Sequence, residues 1–330
     1  MTTTELRFRA MGSDIHVVVV GGHEGLGAHA RRRIEALERR WSRFLPDSEV
    51  SRLNATAGHA VEVSVDTRLL VQRSVQAWRL TGGGFDPTLL EALRRAGYEA
   101  SYEASYEASY EASFEAMTTR DGCPVAPGPP PLPALRPGCT DIVFDGSRVM
   151  LPTGMGFDAG GIGKGLAADL VSAELMAAGA AGACVNMGGD VRVRGDSPTG
   201  SGWTLAVDHP CSPRPMALVG LHDGAVATSS VLRRVWTVGG AARHHLLDPA
   251  TGEPSTSDIA LASVIAGEAW EAEVLAKAVL LRGSTRAFDL LTDDIGALAV
   301  THDGTVLANF RMCAFLGGAP LPARVVLPAG

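Results

Sequence analysis

Residues 157–170 read FDAGGIGKGLAADL and set one lysine, Lys164, among four glycines, Gly160, Gly161, Gly163 and Gly165. Glycine lets backbone amides approach an anion closely. A helix beginning at the same point adds the positive end of its dipole, so the pattern is suited to cradling a phosphate. It is not a Walker loop: Asp158 stands where that motif carries its first glycine, and Gly165 follows the lysine in place of a Ser or Thr. No register satisfies GxGxxG either. A plain strand-to-helix turn would use the same residues, so the pattern needs support from elsewhere in the chain.

Other segments share its character. Asn186, Met187, Gly188, Gly189 and Asp190 form a glycine turn between apolar runs, able to expose amides. Thr228, Ser229 and Ser230 end an apolar run in hydroxyls. His244 and His245 lead into the turn Asp248-Pro249-Ala250-Thr251-Gly252. Neighbouring histidines on a strand point to opposite faces, which argues against a shared metal and leaves one to face a cleft. Ser229, His245 and Asp248 have the residue types of a catalytic triad, but no nucleophile elbow accompanies them. In GFDPTLL (84–90), Asp86 has the chemistry of a helix cap and Pro87 that of a first-turn residue.

These residues must be held by regular elements. Alternation and then a β-branched run over 6–20 predict a strand, broken into a hairpin near Met11, Gly12 and Ser13. Helices are predicted over 24–40 and 66–80, with an ordered loop ending in a short helix over 41–54. A strand pair is predicted around Asp145 and Gly146, and a helix follows the glycine stretch to about Ala178. Strands are then predicted over 183–186, 191–194, 203–208, 216–221, 225–229, 234–238, 243–248 and 260–266. Helices over 268–281 and 284–291 and a strand pair turning at Asp303 and Gly304 complete the chain. Successive strands with helices in two blocks indicate an α+β class rather than a doubly wound parallel sheet.

From Tyr98 to Met117 the unit YEAS occurs four times, followed by FEAM. A period of four against 3.6 rotates each aromatic by about 40° on a helix, and the glutamates stack at like-charge spacing. Residues 98–138, which end in a proline-rich stretch, therefore read as an insert in a tolerant connection; an aromatic docking surface is the competing reading.

The chain has 330 residues, 46% hydrophobic, with a formal charge of −7, which argues against a nucleic-acid partner. Five scattered cysteines without a CxxC pair speak against a disulfide framework or a zinc knuckle. No apolar run reaches the length of a membrane span, and the start MTTTELRFRAMGSD lacks a signal peptide's apolar region, so a cytoplasmic protein is expected.

Seven segments in order, MGSDI (11–15), FLPDSEVSRLN (44–54), TGGGFDPT (81–88), FDAGGIGKGLAAD (157–169), NMGGD (186–190), TSS (228–230) and HHLLDPATGEP (244–254), resemble the FAD:protein FMN transferases, the ApbE-like flavin transferases. The resemblance spans most of the chain apart from the insert. It implies a single ApbE-like domain over 1–330, with antiparallel sheets flanked by helices and a groove between sub-domains. It also implies FAD as substrate, magnesium at the pyrophosphate, and transfer of FMN to a Thr or Ser of an acceptor flavoprotein, or to water. Carried onto this sequence, Met11, Gly12, Ser48, Phe85, Asp86, Gly160, Gly161, Lys164, Asn186 and Gly188 would line the groove. His245, Ser229 and Asp248 would sit near the reacting phosphate.

Two positions depart from the family. There, an Asp and a Thr four residues apart on a late helix bind the magnesium together with a backbone carbonyl of the glycine cradle, here Gly161. The aligned segment AWEAEVLAKAVLLRG places Glu273 and Lys277 at those positions. A glutamate can reach a hard cation, whereas an ammonium is no metal ligand and repels one. At i,i+4 the two would also suit an exposed helix ion pair. The chain is then either a flavin transferase in which Lys277 stands in for the metal's charge, or a repurposed enzyme. In the second case Glu273 and Lys277 perform acid–base or amine chemistry on a small aromatic metabolite. A non-catalytic flavin-binding protein is a third reading.

Overall fold

The chain opens with β1 (Thr3–Ala10) and β2 (Ser13–Val20), an antiparallel hairpin closed by Met11 and Gly12 at φ of 51° and 62°. Two successive positive φ values match the turn to the strands' twist. The structure is a computed structural model that describes residues 1–98, 138–208, 214–232, 234–238, 241–316 and 325–326. The YEAS repeat beyond Tyr98, the proline-rich stretch through Pro137, and Cys211 lie outside the described residues.

Helix α1 (Leu26–Trp41) buries Leu26, Ala30, Ile34, Leu37 and Trp41, one face at the helical period. Helix α2 (Glu49–Ala55) starts at Ser48, whose Oγ accepts the Ser51 N–H at 3.0 Å. Helix α3 (Val65–Leu80) is capped in the same way by Ser64. The short strands β3 (Val61–Glu62), β4 (Val143–Asp145) and β5 (Arg148–Met150) form a separate three-stranded sheet. Helix α4 (Leu90–Arg95) lies between β3 and β4 in sequence.

Helix α5 (Gly163–Ala177) leads into β6 (Gly182–Met187) and β7 (Asp190–Gly195). The hairpin β8 (Trp203–Asp208) and β9 (Pro215–Leu221) follows, and then β10 (Gly224–Ser230). A second hairpin, β11 (Val235–Val238) and β12 (Ala241–His244), precedes β13 (Ile259–Ala266) and helix α6 (Ala269–Arg282). Strands β14 (Gly296–Thr301), β15 (Val306–Ala308) and β16 (Val325–Val326) end the order. Nine strands form one sheet, β1-β2-β6-β7-β10-β13-β14-β15-β16, antiparallel except for the last pair. This is the expected α+β class.

The sheet buries both faces. Ile15, Val17, Val19, Val185 and Val264 join the helices in the larger core, while Val193, Val226, Leu298 and Val300 face the β8–β9 hairpin in a smaller one. On the helical face Ala183, Ala225, Ala227, Ala262, Ala297 and Ala299 keep the surface low, so α5 and α6 settle close to it. They also approach each other: a Cβ on Gly165 would lie 2.4 Å from the Ala269 carbonyl oxygen. Asp169 of α5 then caps α6, accepting the N–H groups of Ala269 at 2.8 Å and Trp270 at 2.9 Å. Arg192, fully buried on β7, approaches the same carboxylate at 3.2 Å.

Three expectations are corrected. The predicted helix over 284–291 is a series of i→i−3 turns behind Gly283 at φ 75°, too short to propagate before Thr292 and Asp293 turn the chain again. The predicted strand over 243–248 ends at His244, after which the chain bends. Asp86 does not cap a helix; its Oδ1 accepts from the N–H and hydroxyl of Thr88, a local turn, and α4 begins only at Leu90. Among the described residues no helix is long and apolar enough to cross a membrane.

The close helix contact gives a direct check. Gly165→Ala is expected to lower stability by about 2 kcal/mol because backbone must move to admit the methyl group. Gly160→Ala, whose new Cβ would meet only the end of the Asp158 side chain at 3.0 Å, should cost less than about 1 kcal/mol. Urea midpoints of the two variants measure the difference.

Candidate functional site

A cavity opens where the start of α5 meets the side of α6. Its floor is Ala159, Gly160, Gly161, Gly163 and Lys164; Lys277 and Leu281 of α6 form one wall. The chain after β12 supplies His245, Leu246 and Leu247, and the β1–β2 turn supplies Met11 and Gly12. Arg43, Phe44, Phe85, Asp86, Tyr98 and Arg234 close the remaining sides.

The floor is shaped by what glycine leaves out. A Cβ on Gly161 would stand 2.5 Å from the Phe85 ring, so that ring occupies the space of the absent side chain, and Cε of Lys277 lies at contact distance, 3.5 Å from the same point. Several amides expected to face an anion are already used. The Gly160 N–H donates to Asp158 Oδ1 at 2.6 Å, that of Gly163 to the Ala159 carbonyl at 2.8 Å, and that of Gly165 to Glu273 Oε2 at 2.8 Å. Gly165 is thus a packing residue, and positive charge at the floor comes chiefly from side chains.

Those side chains form a buried cluster. Lys164 Nζ donates to Asp190 Oδ2 and stands 3.9 Å from Glu273 Oε1; Lys277 Nζ donates to the same Oε1 at 3.1 Å and lies 3.3 Å from the Glu273 carbonyl. Glu273 is wholly buried, so the alternative of an exposed helix pair does not hold. Burial by itself raises its carboxyl, but the ammonium groups of Lys277 and Lys164 and the Gly165 amide outweigh that and hold it below its ordinary value.

The residues do not fit a divalent ion at the expected Gly161–Glu273 position. Both oxygens of Glu273 are engaged, and Lys277 holds the side that faces the cavity. Unit charges about 4 Å apart interact by about 4 kcal/mol near a protein surface, and a divalent ion would double that repulsion from the ammonium. Among the described residues no group of three or more His, Cys, Asp and Glu is placed to hold a metal.

His245 behaves differently from the rest. Burial, reinforced by Arg234, Lys277, His244 and Lys164, pushes its imidazole well below the usual histidine range, so it is neutral near pH 7. Its Nδ1 is buried and has no hydrogen-bond partner among the described residues. Asp248 does not orient it; that carboxylate accepts from the Ala250 N–H at 2.8 Å and holds the following turn. Ser229 is buried on β10, away from the cavity lining, so the three do not assemble as a triad.

Met11, Gly12, Phe85, Asp86, Gly160, Gly161, Lys164, His245 and Lys277 are brought to one cavity. Ser48 caps α2 instead. Asn186 holds its own turn by accepting the Gly189 N–H at 2.8 Å, and Gly188, at φ 68°, lies against Ser13. None of these three lines the cavity.

Sequence reading missed Asp190 as the partner of Lys164, although it ends the NMGGD turn. It also missed the rim, where Tyr98 stacks on Trp236 at 5.3 Å and Arg43 lies over Phe44 and Tyr98 at 4.2 and 5.0 Å. No spacing rule links residues so distant in the chain.

The model of the ApbE family matches residues 11–301. A protein of Rhodobacter capsulatus named FAD:protein FMN transferase is 30% identical over 312 residues, covering 91% of this chain and 55% of its own length. One of the same name from Treponema pallidum is 28% identical over 277 residues, covering 80% of this chain and 73% of its own. The chain thus spans little more than half of the first relative and about three quarters of the second. The crystal structure of the ApbE protein from Thermotoga maritima superposes with a TM-score of 0.79 at 26% identity, covering 96% of this chain and 99% of that one.

The neutral imidazole predicts a pH effect. Because His245 takes up a proton less readily folded than unfolded, stability is retained above the ordinary value of 6.5 and falls as pH drops below it. The loss of urea resistance between about pH 7.5 and about pH 5.5 should be smaller in His245→Gln than in the parent chain.

Proposed function

The chain belongs to the ApbE family, and from that premise we propose that it cleaves FAD at the pyrophosphate, passes the FMN half to a serine or threonine hydroxyl of an acceptor protein, and releases AMP. The observation that carries this reading is the mixed lining of the cavity. The cations Lys164, Lys277 and Arg234 share it with Phe44, Phe85, Tyr98, Leu246 and Leu247. A flavin nucleotide needs both kinds of surface, apolar faces for a planar ring system and positive charge for a pyrophosphate.

In the reaction, the acceptor's hydroxyl oxygen attacks the phosphorus on the FMN side, forming a P–O bond. The bridging P–O bond breaks, and its electron pair leaves on AMP. The hydroxyl proton passes to a ring nitrogen of His245, which is neutral and therefore able to accept it. Lys277 and Lys164 offset the negative charge spread over the phosphoryl oxygens in the transition state. The carboxylates beneath them, Glu273 and Asp190, keep each ammonium in place. Phe85, seated against Gly161, and the Tyr98–Trp236 stack give the ring apolar surfaces.

The test is incubation of the full chain with FAD and a flavin-accepting protein, following AMP release and the acceptor's mass. AMP formation with one FMN added to the acceptor is expected, and absence of AMP overturns the reading. His245→Gln should lower kcat by about 10²–10⁴-fold while FAD affinity changes little.

A further inference from the structure

We propose that Lys277 takes the place of a divalent cation in this chain, so that its ammonium binds the phosphate group of the flavin dinucleotide and binding needs no metal ion. The inference rests on the reading of the cavity as a flavin-dinucleotide site and adds the means of anion recognition there.

Four observations converge on it. The stem of Lys277 is seated against the glycine turn, its Cε 3.5 Å from where a Gly161 Cβ would be. Lys277 lines the cavity and Glu273 does not: the side chain of Glu273 is 0% exposed and that of Lys277 12%. A metal ion at this point would have to displace the ammonium from Glu273 Oε1, because Oε2 is committed to the buried Gly165 N–H. Finally, the amides of Gly160, Gly163 and Gly165 are already committed, which leaves side-chain cations a larger share of any anion contact at this floor.

Donor geometry makes the role concrete. An ammonium carries three N–H donors. Lys277 uses its contacts with the carbonyl and Oε1 of Glu273, which leaves one donor for the cavity. Lys164, held by Asp190, keeps two. Each lysine is fixed by a buried carboxylate, so neither side chain has to be ordered when the anion arrives, and the cost of binding is reduced accordingly. The carboxylates also neutralise the cluster when the cavity is empty, which lets two ammonium groups coexist on one floor.

The experiment measures equilibrium binding of FAD and, separately, of riboflavin to the full chain, in EDTA and in excess magnesium. Riboflavin carries the ring without phosphate. FAD affinity is expected to agree within about twofold between the two conditions. Lys277→Met should weaken FAD binding by at least about tenfold and leave riboflavin binding within about twofold. Because Lys277→Met leaves the buried Glu273 carboxylate short of a partner, the neutral pair Glu273→Gln with Lys277→Gln is measured alongside. The pair preserves an acceptor for the Gly165 amide, and the same selective loss of FAD affinity is expected.

Equal loss of FAD and riboflavin binding in both variants would assign Lys277 a structural role and overturn the proposal. So would a fall in FAD affinity of about tenfold or more in EDTA. The outcomes separate this inference from the transferase reading. Metal-independent, Lys277-dependent FAD binding without AMP release would leave the inference standing and remove the transfer step. FAD binding that is lost in EDTA, with AMP released when magnesium is present, would do the reverse.

Discussion

The close approach of α5 to α6 at Gly165 is the constraint on which the rest of the structure depends. With no side chain at that position, the Ala269 end of α6 packs against the backbone of α5. Glu273 can then turn inward and accept the Gly165 N–H. One turn further along α6, Lys277 comes to lie over Gly161. Asp169 completes the junction by supplying acceptors for the first amides of α6, for which Glu268 at the N-cap provides no side-chain bond. The alanine-rich sheet face beneath brings both helices low enough for these contacts to form.

A consequence is that charge is buried at the cavity floor. Lys164, Asp190, Glu273 and Lys277 form two ion pairs across elements that are far apart in the chain. Placing such groups out of water is costly, and their mutual attraction recovers that cost only when every carboxylate oxygen and ammonium donor is well placed. Glu273 meets the condition, with one oxygen on an amide and the other on an ammonium. The cluster is therefore better understood as a device that holds two cations toward the cavity than as a source of stability. The same cations depress the basicity of His245 and so keep a proton acceptor available beside them.

The family likeness and the local chemistry answer different questions. Agreement over 96% of the chain with a solved ApbE structure accounts for the sheet order, the glycine floor and the loops that meet above it. The local charge is set by the pair on α6, where Lys277 stands against the floor. At the rim, Tyr98, the first residue of the repeated unit, is fastened by stacking on Trp236 and by the Arg43 hydrogen bond to its carbonyl at 2.7 Å. The start of the insert is thereby joined to the cavity wall.

Much was legible in the residues alone. β-Branched alternation located the strands, Met11-Gly12 the first hairpin, and the glycine–lysine run the start of α5, because each is a local property of backbone sterics and helix termini. The order of motifs was enough to identify the family. Local chemistry misled where a residue had two outlets. The short segment after Gly283 has turn bonding in place of a helix, and Ser48 and Asn186, which the family resemblance set in the groove, serve their own cap and turn.

Only the tertiary structure decided which glycines face a ligand and which a neighbouring helix, that Glu273 is buried, that Asp190 holds Lys164, and that His245 stands apart from Ser229 and Asp248. Those outcomes depend on the distance between elements widely separated in sequence, which the spacing of residues along one element does not encode.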